Sequence, residues 1–199
     1  MKNIAFLLAF TALPTLANAA NLIANGSFEQ DSQAAGTWGI YADLTGWTGV
    51  NNIELRNNVA GQASDGVNFV ELDTDSNNSM FQEVATVIGA TYYLTFDYSG
   101  RTGVPSESNP IDAFWNGTSL THIFSSGIGE IGNHWTTVGF YVVGTGNDRL
   151  SFSASGISDS YGGSLDNVTL IAAVPEPETY AMMLAGLGLM GFVASRRKS

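Results

Sequence analysis

A chain of 199 residues with 44% hydrophobic and 11% aromatic side chains can bury one core of ordinary size. Its formal net charge of -11 argues against nucleic acid, because a phosphate backbone calls for clustered Lys and Arg. The absence of cysteine removes disulfides, thiolate metal sites and cysteine nucleophiles together. The charge is also segregated. Lys2, Arg196, Arg197 and Lys198 account for four of the seven bases, and Glu176 and Glu178 for two of the 18 acids. Residues 21–171 therefore keep three bases and 16 acids, with no lysine at all.

The first 19 residues read as a signal peptide. Lys2 supplies a positive start, residues 4–16 form an apolar run, and Ala17-Asn18-Ala19 gives the small-x-small pattern that a signal peptidase cuts. Nothing polar marks one face of the run, as a buried amphipathic helix would require. Export is the expectation, with cleavage after Ala19.

From residue 20 to residue 172 the dominant period is two. Tyr92, Leu94, Phe96 and Tyr98 fall on one face of a strand, with Thr95 and Asp97 on the other. Residues 68–72, 81–87, 111–115, 135–143, 149–154 and 165–171 are further short β-type runs. Clusters such as Asp75-Ser76-Asn77-Asn78-Ser79 and Gly144-Thr145-Gly146-Asn147 punctuate them as turns. No convincing helical stripe interrupts this pattern, so residues 20–172 predict an all-β sandwich.

The two ends of this region are more particular. Asn25-Gly26-Ser27-Phe28-Glu29 near its start and Asp166-Asn167-Val168 near its finish resemble the jelly-roll, galactose-binding-like modules, whose carbohydrate-binding members carry similar opening and closing strands. The resemblance implies a jelly-roll β-sandwich of two antiparallel sheets, with 21–29 as its first strand. It also implies a structural calcium ion shared by the end strands, with the backbone around Asn25 and the carboxylates of Glu29 and Asp166 as ligands. Such a hard cation takes six to eight oxygens. The alternative is that Glu29 caps a turn and Asp166 faces water.

Other motifs dissolve on inspection. Asp73-Thr74-Asp75-Ser76-Asn77 opens like a calcium loop, but Asn78 stands where the sharp turn needs Gly, and Val84 where the last ligand should be Glu. Gly127-Ile128-Gly129-Glu130-Ile131-Gly132 has the letters of a dinucleotide fingerprint, yet strand-like sequence follows where a helix is needed. His122 and His134 are the only histidines, and no Gly-x-Ser-x-Gly elbow occurs. A Ser-His-Asp set or a pair of glycosidase carboxylates stays open as a minority reading. Flat aromatic faces are plentiful: Trp38, Tyr41, Trp47, Trp115, Trp135 and Tyr161. Exposed rings beside Asn and Asp can stack on sugar faces while polar neighbours bind hydroxyls. Trp38 and Trp47 lie in Gly-rich, loop-like sequence and are the first candidates for exposure and ligand binding.

Residues 173–199 form a sorting and anchor segment. Val174-Pro175-Glu176-Pro177-Glu178 is a stiff acidic break. Residues 179–194 then carry no charge, and Arg196-Arg197-Lys198 follow. Sixteen residues fall just short of the ordinary lower limit of about 17 for a membrane helix, and the basic cluster would hold that end in the cytoplasm. Pro175, Glu176, Pro177, the glycine-bearing run and the cluster with Arg196 and Arg197 resemble the PEP-CTERM sorting signal of Gram-negative exosortase substrates. That resemblance implies parking in the inner membrane, cleavage by an exosortase, and transfer to the cell surface or extracellular matrix. The sequence thus predicts a β-sandwich flanked by a signal-peptide helix and a hydrophobic anchor helix. The expected function is a non-enzymatic surface or matrix protein that binds exopolysaccharide. A secreted glycan hydrolase and a purely structural surface protein remain the alternatives.

Overall fold

A computed structural model describes residues 20–173, together with 183–188, 190 and 196. The expected signal peptide at 1–19 and the sorting residues Pro175, Glu176, Pro177 and Arg197 lie outside the described residues. Ten strands make the body: β1 (Trp38–Leu44), β2 (Trp47–Asn57), β3 (Asn68–Glu71), β4 (Ser79–Ala85), β5 (Thr91–Ser99), β6 (Ile111–Trp115), β7 (Thr118–Ile123), β8 (Thr136–Val143), β9 (Asn147–Ala154) and β10 (Ser164–Ala172). Neighbours pair antiparallel in the order β7-β6-β9-β4-β2-β3-β10-β5-β8, with β1 along the other side of β2.

The long strand β2 turns this ribbon into two layers. Thr48, Gly49 and Val50 pair with β4, whereas Glu54, Leu55, Arg56 and Asn57 pair with β3. Asn51 between them sits at φ 78°, a left-handed conformation that Asn tolerates better than most residues. The strand therefore bends and changes sheet, leaving β4, β9, β6 and β7 in one layer and β3, β10, β5 and β8 in the other. Period-two alternation sends Tyr92, Leu94, Phe96 and Tyr98 inward, all buried. Phe96 of β5 meets Phe152 of β9 edge-on at 5.0 Å, so side chains of the two layers interlock in the core. Each such ring stabilises the fold by roughly 1.5–3 kcal/mol relative to leaving it in water.

The jelly-roll sandwich expected from the sequence is the architecture observed, with one change at its start. Residues 21–29 are a succession of turns instead of a first strand. Asn25 (φ 51°) and Phe28 (φ 60°) are left-handed, which no continuous strand accommodates, and Phe28 is thereby buried completely. The segment still lies along β10. Leu22 N–H donates to Leu170 O, and Val168 N–H donates to Gly26 O. A Cβ on Gly26 would meet the Val168 carbonyl oxygen at 1.9 Å, so only glycine allows the approach.

Strands β1, β2 and β7 arise where no strand was expected. In β1 and β2, Gly39, Gly49 and Asn51 read as loop residues, but the pairing is fixed by neighbours distant in sequence. Within the expected anchor, residues 183–188 are helical and exposed. Among the described residues, no helix is long and apolar enough to cross a membrane.

Candidate functional site

On the outer face of β2 and β3, alternation places Glu54 and Arg56 opposite the inward Ile53 and Leu55. Ladder register then builds two rows across neighbouring strands. Ile40 lies opposite Glu54, and Glu54 opposite Glu71; Trp38 lies opposite Arg56, and Arg56 opposite Phe69. The turn after β3 adds Thr74 and Asp75, and the loops beyond β5 and before β10 add Arg101, Asp159, Ser160 and Tyr161. Together these residues line an open groove of about 430 Å³. A second recess of about 320 Å³ shares Arg101, Asp159 and Tyr161 with the first, so these residues form the ridge between them.

The floor is ionic and dry. Arg56 Nη2 lies 2.5 Å from Glu54 Oε1, and its Nε lies 3.2 Å from Glu71 Oε2. Arg101 Nη1 donates to Glu71 Oε1 at 2.7 Å, and the Gly162 N–H reaches the same oxygen at 2.9 Å. Glu71 is fully buried. Burial pushes its carboxyl up to about 7, although Arg56 and Arg101 pull the other way. Burial also raises Glu54, again against the pull of Arg56. The walls are aromatic and wet. Trp38 is 53% exposed and Tyr161 48%, and the Arg101 guanidinium lies 4.4 Å from the centre of the Tyr161 ring. That cation–π contact holds the ring on the ridge beside the groove.

Of the two tryptophans predicted to face a ligand, the structure exposes Trp38 and buries Trp47. Trp47 packs between Phe28 (5.8 Å) and Phe152 (6.0 Å), and its indole N–H donates to the Asn25 carbonyl. It presents no face to solvent, because β2 is a strand whose alternation turns that position inward. Tyr161, not Trp47, stands with Trp38 at the groove. It shares the Gly-rich setting that singled out Trp38, in Ser160-Tyr161-Gly162-Gly163. A second signal was overlooked: two of the three arginines in an otherwise lysine-free domain, Arg56 and Arg101, meet here.

The predicted calcium ligands are engaged by protein donors. Glu29 Oε1 accepts the N–H groups of Val67 and Asn68. Asp166 Oδ2 accepts those of Ser64 and Asp65, and its Oδ1 accepts that of Asn167. The two carboxylates thus grip one loop between β2 and β3. Asn25 turns its amide to Asp31 and Thr45, and its carbonyl accepts from Trp47 and Phe28. Oxygen donors of this kind suit a hard cation; Glu29 Oε1 and both oxygens of Asp166 already accept N–H groups. No cluster of three or more acidic or histidine side chains that could hold a metal occurs among the described residues.

Each histidine ring meets a carboxylate. His122 meets Asp112 at 2.6 Å and His134 meets Glu130 at 2.7 Å. Among the described residues, no serine hydroxyl is hydrogen-bonded to either ring.

Residues 173–198 match the family model of the PEP-CTERM protein-sorting motif. The chain carries a PEP-CTERM sorting motif. Its folded part is similar to carbohydrate-binding modules. A family 16 carbohydrate-binding module superposes with a TM-score of 0.50 at 17% identity, over 76% of this chain and 99% of that one, which is a likeness of fold. TmCBM61, solved with β-1,4-galactotriose, gives 0.48 at 20% identity over 78% and 100%. A family 35 module from Clostridium thermocellum gives 0.46 at 18% over 69% and 99%. In sequence, the multifunctional-autoprocessing repeats-in-toxin of Vibrio vulnificus is 30% identical over 155 residues, 75% of this PEP-CTERM chain. That of Vibrio cholerae serotype O1 is 30% identical over 156 residues. The chain spans about 3% of the length of the curated relatives it matches.

Proposed function

We propose that this is a non-enzymatic, exported protein that binds a neutral polysaccharide in the groove between Trp38 and Tyr161. In this reading a signal peptidase removes residues 1–19, and the PEP-CTERM tail parks the chain in the inner membrane of a Gram-negative cell. An exosortase then cuts the tail and delivers the domain to the cell surface or extracellular matrix. The observation that carries the binding site is the pairing of two half-exposed aromatic rings with an ionic floor in one open groove. Rings of this kind stack on pyranose faces while polar neighbours bind hydroxyls. The lining carries three carboxylates against two guanidiniums, and Glu71 and Glu54 already hold both Arg56 and Arg101 or one of them. Among the described residues that line the groove, no cation is left unpaired to receive a uronate, which favours a neutral glycan. The hydrolase alternative is the weaker one, since Glu54 and Glu71 are buried and bound to arginine. Calorimetric titration with paired neutral and uronate-bearing polysaccharides tests the reading. Saturable binding of a neutral polymer is expected; inertness toward both kinds would end it.

A structural calcium ion belongs to the same reading. Its donors would be Glu29, Asp166 and the backbone around Asn25, closing the loop between β2 and β3 against β10. Binding to the native state alone would raise the melting midpoint, so removal by chelator is expected to lower it by several degrees. An unchanged midpoint would remove calcium from the account.

A further inference from the structure

The groove occupies one end of the sandwich, and the chain leaves from the other. Strand β5 starts at Thr91, whose carbonyl accepts the Ala173 N–H where the tail departs, and it finishes at Ser99, two residues before Arg101. Nine residues at roughly 3.3 Å each separate the two ends by about 30 Å.

The departure end carries exposed apolar side chains. The loop between β4 and β5 exposes Val87 (67%) and Ile88 (79%), and β8 exposes Tyr141 and Val143 beside it. Val143 lies opposite Thr91 in the ladder, and Ile88 leans toward Gly146. The loop is firmly braced. Thr86 N–H donates to Gly146 O, Gly89 N–H to Gly144 O, Gly144 N–H to Ala90 O, and Val87 N–H to the Tyr92 hydroxyl. Val87 and Ile88 thus stand out together from a braced loop. Residues 86–91 and 136–147 also contain no charged side chain, in a region with 16 acids and three bases.

Chain length brings this end to the membrane. Only residues 173–178 separate the end of β10 from the charge-free run at 179–194. Fully extended, six residues reach about 20 Å, while one headgroup layer is roughly 5–8 Å thick. We infer that, before the tail is cut, the end of the sandwich formed by residues 86–90 and 141–147 rests in the lipid interface, with Val87 and Ile88 inserted among the headgroups. The inference relies on the anchor reading of the tail. The exposed side chains of this tip are uncharged, and the Asp148 carboxylate beneath them is buried and held by Thr86 and Thr145, so an anionic bilayer surface repels this end less than the rest of the acidic domain. The docked orientation turns the Trp38–Tyr161 groove outward.

The absence of cysteine makes the test clean. Ile88→Cys and, as a control at the groove end, the 60%-exposed Ile128→Cys would each carry a polarity-sensitive fluorophore on the full chain. Each labelled chain is mixed with phosphatidylethanolamine–phosphatidylglycerol vesicles and floated on a density gradient. Flotation of both proteins reads the anchor. Blue-shifted emission at position 88, quenched by lipids spin-labelled on the acyl chain, with neither effect at 128, is the expected result. Flotation with a water-exposed probe at 88 overturns the docked tip and leaves the anchor standing. Failure to float overturns both. Shielding at 88 that grows with protein concentration but resists lipid quenching would assign the patch to a second copy of the chain, and would equally overturn the proposal.

Discussion

Trp38→Ala is expected to weaken polysaccharide binding roughly thirtyfold, or about 2 kcal/mol, the loss typical of an aromatic hot spot, while the melting midpoint hardly moves. The two halves of this outcome have separate causes. Trp38 is half-exposed on β1, so its removal opens no cavity, and surface substitutions of this kind stay within about 0.5 kcal/mol. Its ring is nevertheless the largest flat surface on the groove. Tyr161→Ala should weaken binding as well, and it also releases the Arg101 guanidinium that stacks on the ring. Trp47→Ala behaves in the opposite way. That ring is buried against Phe28 and Phe152, so its loss costs about 3–5 kcal/mol of stability and leaves the affinity of the folded fraction intact. Titration and thermal melts on the three variants read both quantities. Wild-type affinity in Trp38→Ala would move the binding site elsewhere.

The contrast between Trp38 and Trp47 marks how far the residues could be read without coordinates. Alternation along 91–98 gave β5 nearly to the residue because both its faces are regular and one is wholly apolar. Strand β2 escaped notice because its pattern switches where it changes sheet: a half-exposed run from Thr48 to Asn52 gives way to the buried run from Ile53 to Asn57. Glycine and asparagine at 49, 51 and 52 then look like a loop. With β2 unread, nothing could tell that Trp47 points inward and that Arg56 stands opposite Trp38. The ionic floor is a product of register between distant strands, Glu54 against Glu71, and a single chain written as letters contains no register. Composition still held a trace of it. In a domain short of cations, the few arginines have to answer to particular carboxylates, and Arg56 and Arg101 do so at the groove.

The buried carboxylates predict an unusual pH profile: the domain should be more stable near pH 5 than near pH 8. Glu71 is held at about 7 by burial, against an ordinary value of 4.5. A carboxyl raised on folding takes up a proton more readily in the native state than in the unfolded one. Its contribution is therefore complete below about 4.5 and is lost as pH climbs through about 7, a change on the order of 3 kcal/mol for this residue alone. Burial acts in the same direction on Asp166, held at about 7, and on Glu54 and Asp73. Asp148 sets the acid limit. Burial would raise it, but the Thr145, Thr86 and Asn116 side chains and the Thr145 N–H all donate to its carboxylate and hold it at about 2. A carboxyl lowered on folding contributes fully above 3.8, and that contribution disappears as pH falls toward 2. Stability should thus peak between these two limbs, close to the full chain's isoelectric region near 4.2, where the repulsion among its 18 acids also fades. Melts between pH 2 and pH 8 check it. Glu71→Gln should flatten the alkaline limb and Asp148→Asn the acid one, each leaving the other limb in place. A midpoint that climbs steadily to neutral pH would mean that the ion pairs from Arg56 and Arg101 outweigh the burial of Glu71.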